Sequence, residues 1–342
     1  MARRRTAEMV AAGALGVALA LTVLATGTLD RVSCATLAVA CAEEGPAARR
    51  LPQPRRLSPQ EAALSGAYIA LGDSFSSGEG VYDETERPID AGAGLCHRSR
   101  GSYVPQIAGS LRFAGGASFW ACAGATTVHL LKGQHGHKPQ ISRVGPAASL
   151  VTVSIGGNDA GFTDVLKECI LRLPWSDGCT EQEAAVRRRV AGMTPNLRQV
   201  LLEIRRRAPE ARIIVLGYPR PFPAAPADRV DNLTPDDQRW VNRMARFLND
   251  ASREVVAEVD RAIATFGGPG SAEFVDAYDA FDGHEIGRGS PYMNALDVDV
   301  EQLKVYSRSY HPTAGGYRRL GELVAAQISA GPGRPLNNLL LP

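Results

Sequence analysis

A parallel, three-layer α/β fold is predicted by the sequence, and three observations carry the prediction. Five short apolar runs have the length and continuity of strands buried on both faces of a sheet. Stretches between the later runs repeat apolar residues in steps of three and four, as helices covering a sheet must. The conspicuous polar motifs fall just after predicted elements, where open parallel sheets hold their ligands. With 342 residues the chain has room for one large α/β domain or two small ones.

At the N-terminus, Arg3, Arg4 and Arg5 precede an uncharged run from Met9 to Leu29. A basic start before an apolar stretch reads as an export signal or a membrane anchor, residues 1–41. A helix of that length just spans a hydrocarbon core of about 30 Å, with the arginines on the cytoplasmic side. Residues 42–65 are rich in Pro, Arg and Glu and read as a linker. Within it, Ser58-Pro59-Gln60-Glu61 offers one capped helical turn. The main domain is then 66–330, followed by a tail, 331–342.

Strands are predicted at Ala67–Leu71, Ser118–Ala121 and Leu150–Ile155. A helix over 181–208 follows, its face marked by Val186, Val190, Met193, Leu197, Val200, Leu201 and Ile204. Pro195 should kink or split it. A fourth strand is predicted at Arg212–Leu216, and Thr234-Pro235 then starts a helix over 237–266. A fifth strand at Glu273–Val275 and a last helix over 313–329 complete the pattern.

Hydrophobic residues are 44% of the chain, enough for a sizeable core, and the net charge of +2 argues against a nucleic-acid surface. Six cysteines suit an oxidising compartment. They allow fifteen connectivities. Sequential pairing is preferred, although Cys34 and Cys41 could instead leave with a signal peptide or stay unpaired. No pair has the C-x-x-C spacing of a zinc or redox site. His135-Gly136-His137 reads as a solvated loop, as do the arginine triplets 187–189 and 205–207 as solvated helix faces.

The first strand runs into Gly72-Asp73-Ser74-Phe75-Ser76. A serine on a tight strand-to-helix turn can present its hydroxyl and aim its own N–H at a developing oxyanion. Capping of a helix by Asp73 or Ser74 is the equal alternative. The pattern is not G-x-S-x-G, because Ser76 stands where that motif needs Gly. After the second strand, Gly124 offers a bare N–H. After the third, Gly156-Gly157-Asn158-Asp159 is a turn whose Asn158 amide is a ready oxyanion donor. Near the end, His311, followed by Pro312, is the natural general base for a serine.

In that order, G-D-S, Gly, G-x-N-D and H-P resemble the SGNH (GDSL-type) hydrolase family over Tyr68 to Ala325. Cys122-Ala123-Gly124-Ala125-Thr126-Thr127 is similar to its actinobacterial secreted lipase/esterase branch. The resemblance implies a flavodoxin-like fold with five parallel strands and two disulfides, Cys96–Cys122 and Cys169–Cys179. It implies Ser74 as nucleophile, His311 as base, and an oxyanion hole from Ser74, Gly124 and Asn158. Many members carry Asp three residues before the histidine, where this chain has Arg308. A backbone carbonyl of Arg308 or Ser309 would then orient the imidazole. Gly287 stands where the branch has a cysteine, so a third disulfide should be missing and that loop less constrained. The implied activity is ester hydrolysis through an acyl-enzyme, by a monomer, without metal or cofactor. The substrate would be a lipid or small acyl ester, with membrane association through the N-terminal segment and membrane-surface contact by the arginine triplets as the alternative reading of those faces. Carbohydrate O-acetyl esterase activity and a catalytically silent surface-binding protein are the alternatives.

Overall fold

The computed structural model describes residues 56–85, 89, 93–171, 178–299, 301 and 304–337. The apolar N-terminal run, Cys34 and Cys41 lie outside them, as does the linker up to residue 55. Among the described residues no helix is long and apolar enough to cross a membrane.

The predicted turn at Ser58 forms α1 (Pro59–Leu64). The Ser58 hydroxyl accepts from the Glu61 N–H, and the Glu61 carboxylate accepts from the Ser58 N–H, a reciprocal capping box. Ala62 and Ala63 are buried, so this turn belongs to the domain core although it lies in the stretch read as linker. Then follow β1 (Ala67–Gly72), α2 (Ser74–Ser77), α3 (Ala93–Cys96), α4 (Tyr103–Ser110), β2 (Ala117–Phe119), α5 (Thr127–Lys132) and β3 (Ala148–Ser154). The second half contains α6 (Phe162–Leu171), α7 (Glu183–Arg207), β4 (Arg212–Leu216), α8 (Pro235–Thr265) and β5 (Ser271–Val275). A two-stranded antiparallel pair, β6 (Val298–Asp299) and β7 (Lys304–Val305), precedes α9 (Ala314–Ala330).

The five long strands are all parallel, in the order β2-β1-β3-β4-β5. β3 and β4 are buried along their whole length, which explains their unbroken apolar sequence. β2 is assigned only to Phe119, yet the chain keeps bonding to β1 through Trp120 N–H to Ala70 O and Cys122 N–H to Gly72 O. Helices α1, α4 and α9 pack together as one layer, and α5, α7 and α8 as the other. The order reverses direction between β1 and β3, and the crevice at their carboxyl ends is the expected ligand position.

Pro195 does not split α7, which runs unbroken through it. Proline removes the N–H that would bond Ala191 O, and the Thr194 hydroxyl supplies a donor to that carbonyl at 3.0 Å. The seven apolar residues predicted for its inner face are all buried, which pins both halves to the sheet.

Arg212, in β4, is fully buried. It forms a two-point ion pair with Glu273 of β5, at 2.8 and 2.7 Å. Its other N–H groups donate to Pro59 O at the start of α1 and to Gln327 O and Ile328 O in α9. The tail 331–342 is docked where described: Arg334 pairs with Asp260, and Leu336 is buried.

The loop containing Gly287 has other contacts. Arg220 binds Asp279, Asp282 and Glu285, and His284 stacks on Tyr292 with ring centroids 3.9 Å apart. Ion pairs and a ring stack hold that loop in place of the absent disulfide.

Candidate active site

At the end of β1 the chain must turn sharply. Gly72 has φ +130°, and a Cβ there would stand 2.5 Å from Ser154 O and 2.6 Å from Ser76 Oγ, so only glycine fits. Gln140 holds this glycine from both sides, accepting from its N–H and donating to its carbonyl, each at 2.9 Å. Asp73 caps α2 by accepting from the Phe75 N–H at 3.0 Å. Capping and presentation of the serine therefore coexist: Asp73 does the first, and Ser74 stands at the first helical position. There its N–H has no intrahelical acceptor. Ser76, the residue that breaks G-x-S-x-G, is fully buried. It accepts from the Ser154 N–H and bonds Tyr103 Oη, locking α2 to β3 and α4.

The loop before α9 brings His311 to Ser74, with Nε2 2.8 Å from Oγ. The other ring nitrogen, Nδ1, lies 3.0 Å from Ser309 O. The Arg308 carbonyl instead accepts the backbone N–H of His311, so of the two carbonyls considered the ring uses Ser309. A carbonyl at Nδ1 fixes the tautomer with the proton on Nδ1, which leaves Nε2 free to take the serine proton. Asp297 pairs with the Arg308 guanidinium. Burial lowers the pKa of His311, with Glu79 opposing that shift.

Asn158 follows β3 and faces the same cleft as Ser74 and His311. Its Nδ2 donates to Ala125 O at 2.9 Å, which ties its loop to the one carrying Gly124. Gly124 adopts φ +73°, and its loop is anchored by the Cys96–Cys122 disulfide. Gly124 is not among the cleft-lining residues. A second disulfide, Cys169–Cys179, joins the end of α6 to the approach to α7. Among the described residues no group of three His, Cys, Asp or Glu side chains is placed to hold a metal.

Sequence reading missed Tyr218, at the end of β4. Its hydroxyl donates to Asp73 at 2.5 Å and accepts from the Gly157 N–H at 3.0 Å, linking the serine turn to the Asn158 turn. The end-of-strand rule that found Asn158 would have found it. Burial, against the Tyr218 and Phe75 hydrogen bonds, pushes the Asp73 carboxyl up from 3.8 to about 7.

The cleft encloses about 500 Å³ and is overwhelmingly apolar. From Ser74 it runs past Phe162, Leu166 and Ile170 of α6, Leu248 of α8, and Met293 and Leu296. Leu171, Val298 and Val305 are exposed at its rim.

The model of the GDSL-like lipase/acylhydrolase family matches residues 70–319. A lipase from Streptomyces rimosus is 34% identical over 253 residues, covering 73% of this chain and 81% of that protein. Lipase 1 of Streptomyces coelicolor is 33% identical over 289 residues, covering 83% and 92%. Among solved structures, an extracellular lipase from Streptomyces rimosus superposes with TM-score 0.61 and 31% identity, covering 78% of this chain and all of that one. A phospholipase A1 from Streptomyces albidoflavus gives 0.60 and 31%, covering 77% and 98%.

Proposed function

The chain belongs to the GDSL-like lipase/acylhydrolase family and is a carboxylic ester hydrolase, and on that basis we propose an exported serine enzyme that cleaves acyl esters of lipids. The observation that carries the mechanism is the 2.8 Å contact between His311 Nε2 and Ser74 Oγ, at the mouth of an apolar cleft. Ser74 Oγ attacks the ester carbonyl carbon while its proton passes to Nε2. The tetrahedral oxyanion is met by the N–H groups of Ser74 and Gly124 and the Asn158 amide. Collapse expels the alcohol, which takes the proton back from His311. Water, activated by the same imidazole, then releases the acid and frees Ser74. The Ser309 carbonyl holds the ring in register throughout.

The reading of lipid esters rests on the cleft, whose walls offer an acyl chain apolar surface and few polar partners. Two disulfides, and relatives that include an extracellular lipase, support export. The test is hydrolysis of p-nitrophenyl acetate, butyrate and palmitate by the protein and by Ser74→Ala. Activity should rise with chain length beyond acetate, and the variant should lose roughly a thousandfold or more. Retained activity in Ser74→Ala would end the serine mechanism. A maximum on acetate would turn the substrate reading toward a deacetylase.

A further inference from the structure

Glu79 lies in the short turn after α2, in Gly78-Glu79-Gly80, and is 3% exposed. Both its carboxylate oxygens are 2.8 Å from His97 Nδ1, and the Ser307 hydroxyl bonds the same group. His97 is fixed in turn. It follows Cys96 of the disulfide, has left-handed backbone at φ 48°, and stacks on Tyr82 with centroids 4.6 Å apart. On the other side, Gly80 abuts the backbone of the catalytic histidine. A Cβ on Gly80 would stand 2.1 Å from Pro312 O and 3.0 Å from the His311 carbonyl carbon. Asn294 Nδ2 clasps the two segments, donating to Gly80 O at 3.2 Å and His311 O at 2.9 Å. A buried carboxylate is thus delivered to the histidine loop by a contact that leaves no room for drift.

Ser309 O carries only a partial charge, and a full positive charge forms on His311 when it takes the serine proton. We propose that Glu79, held by His97, is the positioning residue that supplies the missing negative charge to the His311 imidazolium, from outside the line of a conventional triad. The inference rests on the Ser74–His311 reading of the site.

The charged and titratable groups facing this pair come from every neighbouring segment. His311 and Ser307 come from the loop before α9, Tyr82, Asp83 and Glu84 from the segment after Glu79, and Tyr317 from α9. Asp73 lies beyond Ser74 and is tied to Tyr218. Burial would push the Glu79 carboxyl up, but the His97 and Ser307 hydrogen bonds hold it below its ordinary value, so it is ionised at neutral pH.

The test is the pH profile of kcat/KM on a soluble ester, for the wild type, Glu79→Gln and His97→Asn. Activity rises with pH as His311 loses its proton, and Glu79 raises the pH at which that occurs. Glu79→Gln should therefore move the acid limb down by roughly half a unit or more, with an activity loss on the order of tenfold. His97→Asn keeps a donor near the Nδ1 position but removes a cation, so its limb should move the opposite way. Folded Glu79→Gln with an unmoved limb overturns the proposal. If that variant does not fold, an unmoved limb in His97→Asn overturns it. Full activity in Ser74→Ala would instead defeat the underlying serine reading, a separable outcome.

Discussion

At the residue scale, the site's chemistry was legible wherever a side chain's type announces its role. Ser74, His311 and Asn158 are a hydroxyl, an imidazole and an amide, each just beyond or before a recognisable element. Tyr218 stands at a strand end, where such residues are sought, but its partner Asp73 lies 145 residues away; Glu79 was not legible, because its meaning lies in His97 and the His311 loop. Asp73 gives a test at this scale. Its carboxyl rises from 3.8 to about 7 on folding, so the native state holds a proton that the unfolded chain releases. Its contribution to stability is complete below the unfolded value and is lost as pH rises through the folded one. Asp73→Asn keeps a capping side chain and cannot ionise. Urea unfolding from about pH 4 to 8 should show stability falling with pH more steeply in the wild type than in the variant. Parallel slopes would mean that Asp73 titrates normally.

Elements were legible in proportion to their burial. The runs that became β3 and β4 announce themselves because both sheet faces are covered, and α7 and α8 because one face is. The two-residue strands β6 and β7 carry no period that a sequence can display. In α7 the carbonyl left without its N–H donor by Pro195 is met by the Thr194 hydroxyl, a contact that periodicity cannot foretell. Arg212 opens β4 and looks like a polar strand end, yet it is the ion-paired centre of an element junction. Arg212→Met should destabilise by about 3–5 kcal/mol, because Glu273 would stay buried without its cation. In a domain of this size that is a fall in Tm on the order of 10 °C. Scanning calorimetry checks it, with activity per folded molecule expected to be unchanged at low temperature. An unaltered Tm would show that Gln327 and Ser271, which also bond Glu273, suffice alone.

At the scale of the whole molecule, α/β layering follows from the alternation of apolar runs and amphipathic stretches. The strand order was reachable only through family resemblance, since no local pattern says which strands are neighbours. Closing the 26-residue separation between Cys96 and Cys122 restricts the unfolded chain by about 3.5 kcal/mol in the loop-entropy treatment. That bond also anchors both the Gly124 loop and His97. Reduction should therefore lower Tm and cut activity together, even at temperatures where the protein remains folded. Loss of Tm with specific activity intact would confine the bond to a structural part. The junction at Arg212 has a further consequence, for the order in which the molecule is made. Its backbone acceptors come from residue 59 and from residues 327 and 328, the two extremes of the domain. A nascent chain that has not yet delivered α9 lacks two of these three acceptors, and with them the clasp that joins its beginning to its middle. The domain thus closes on itself last at the point where α1 and α9 meet, so final locking waits until α9 has been made.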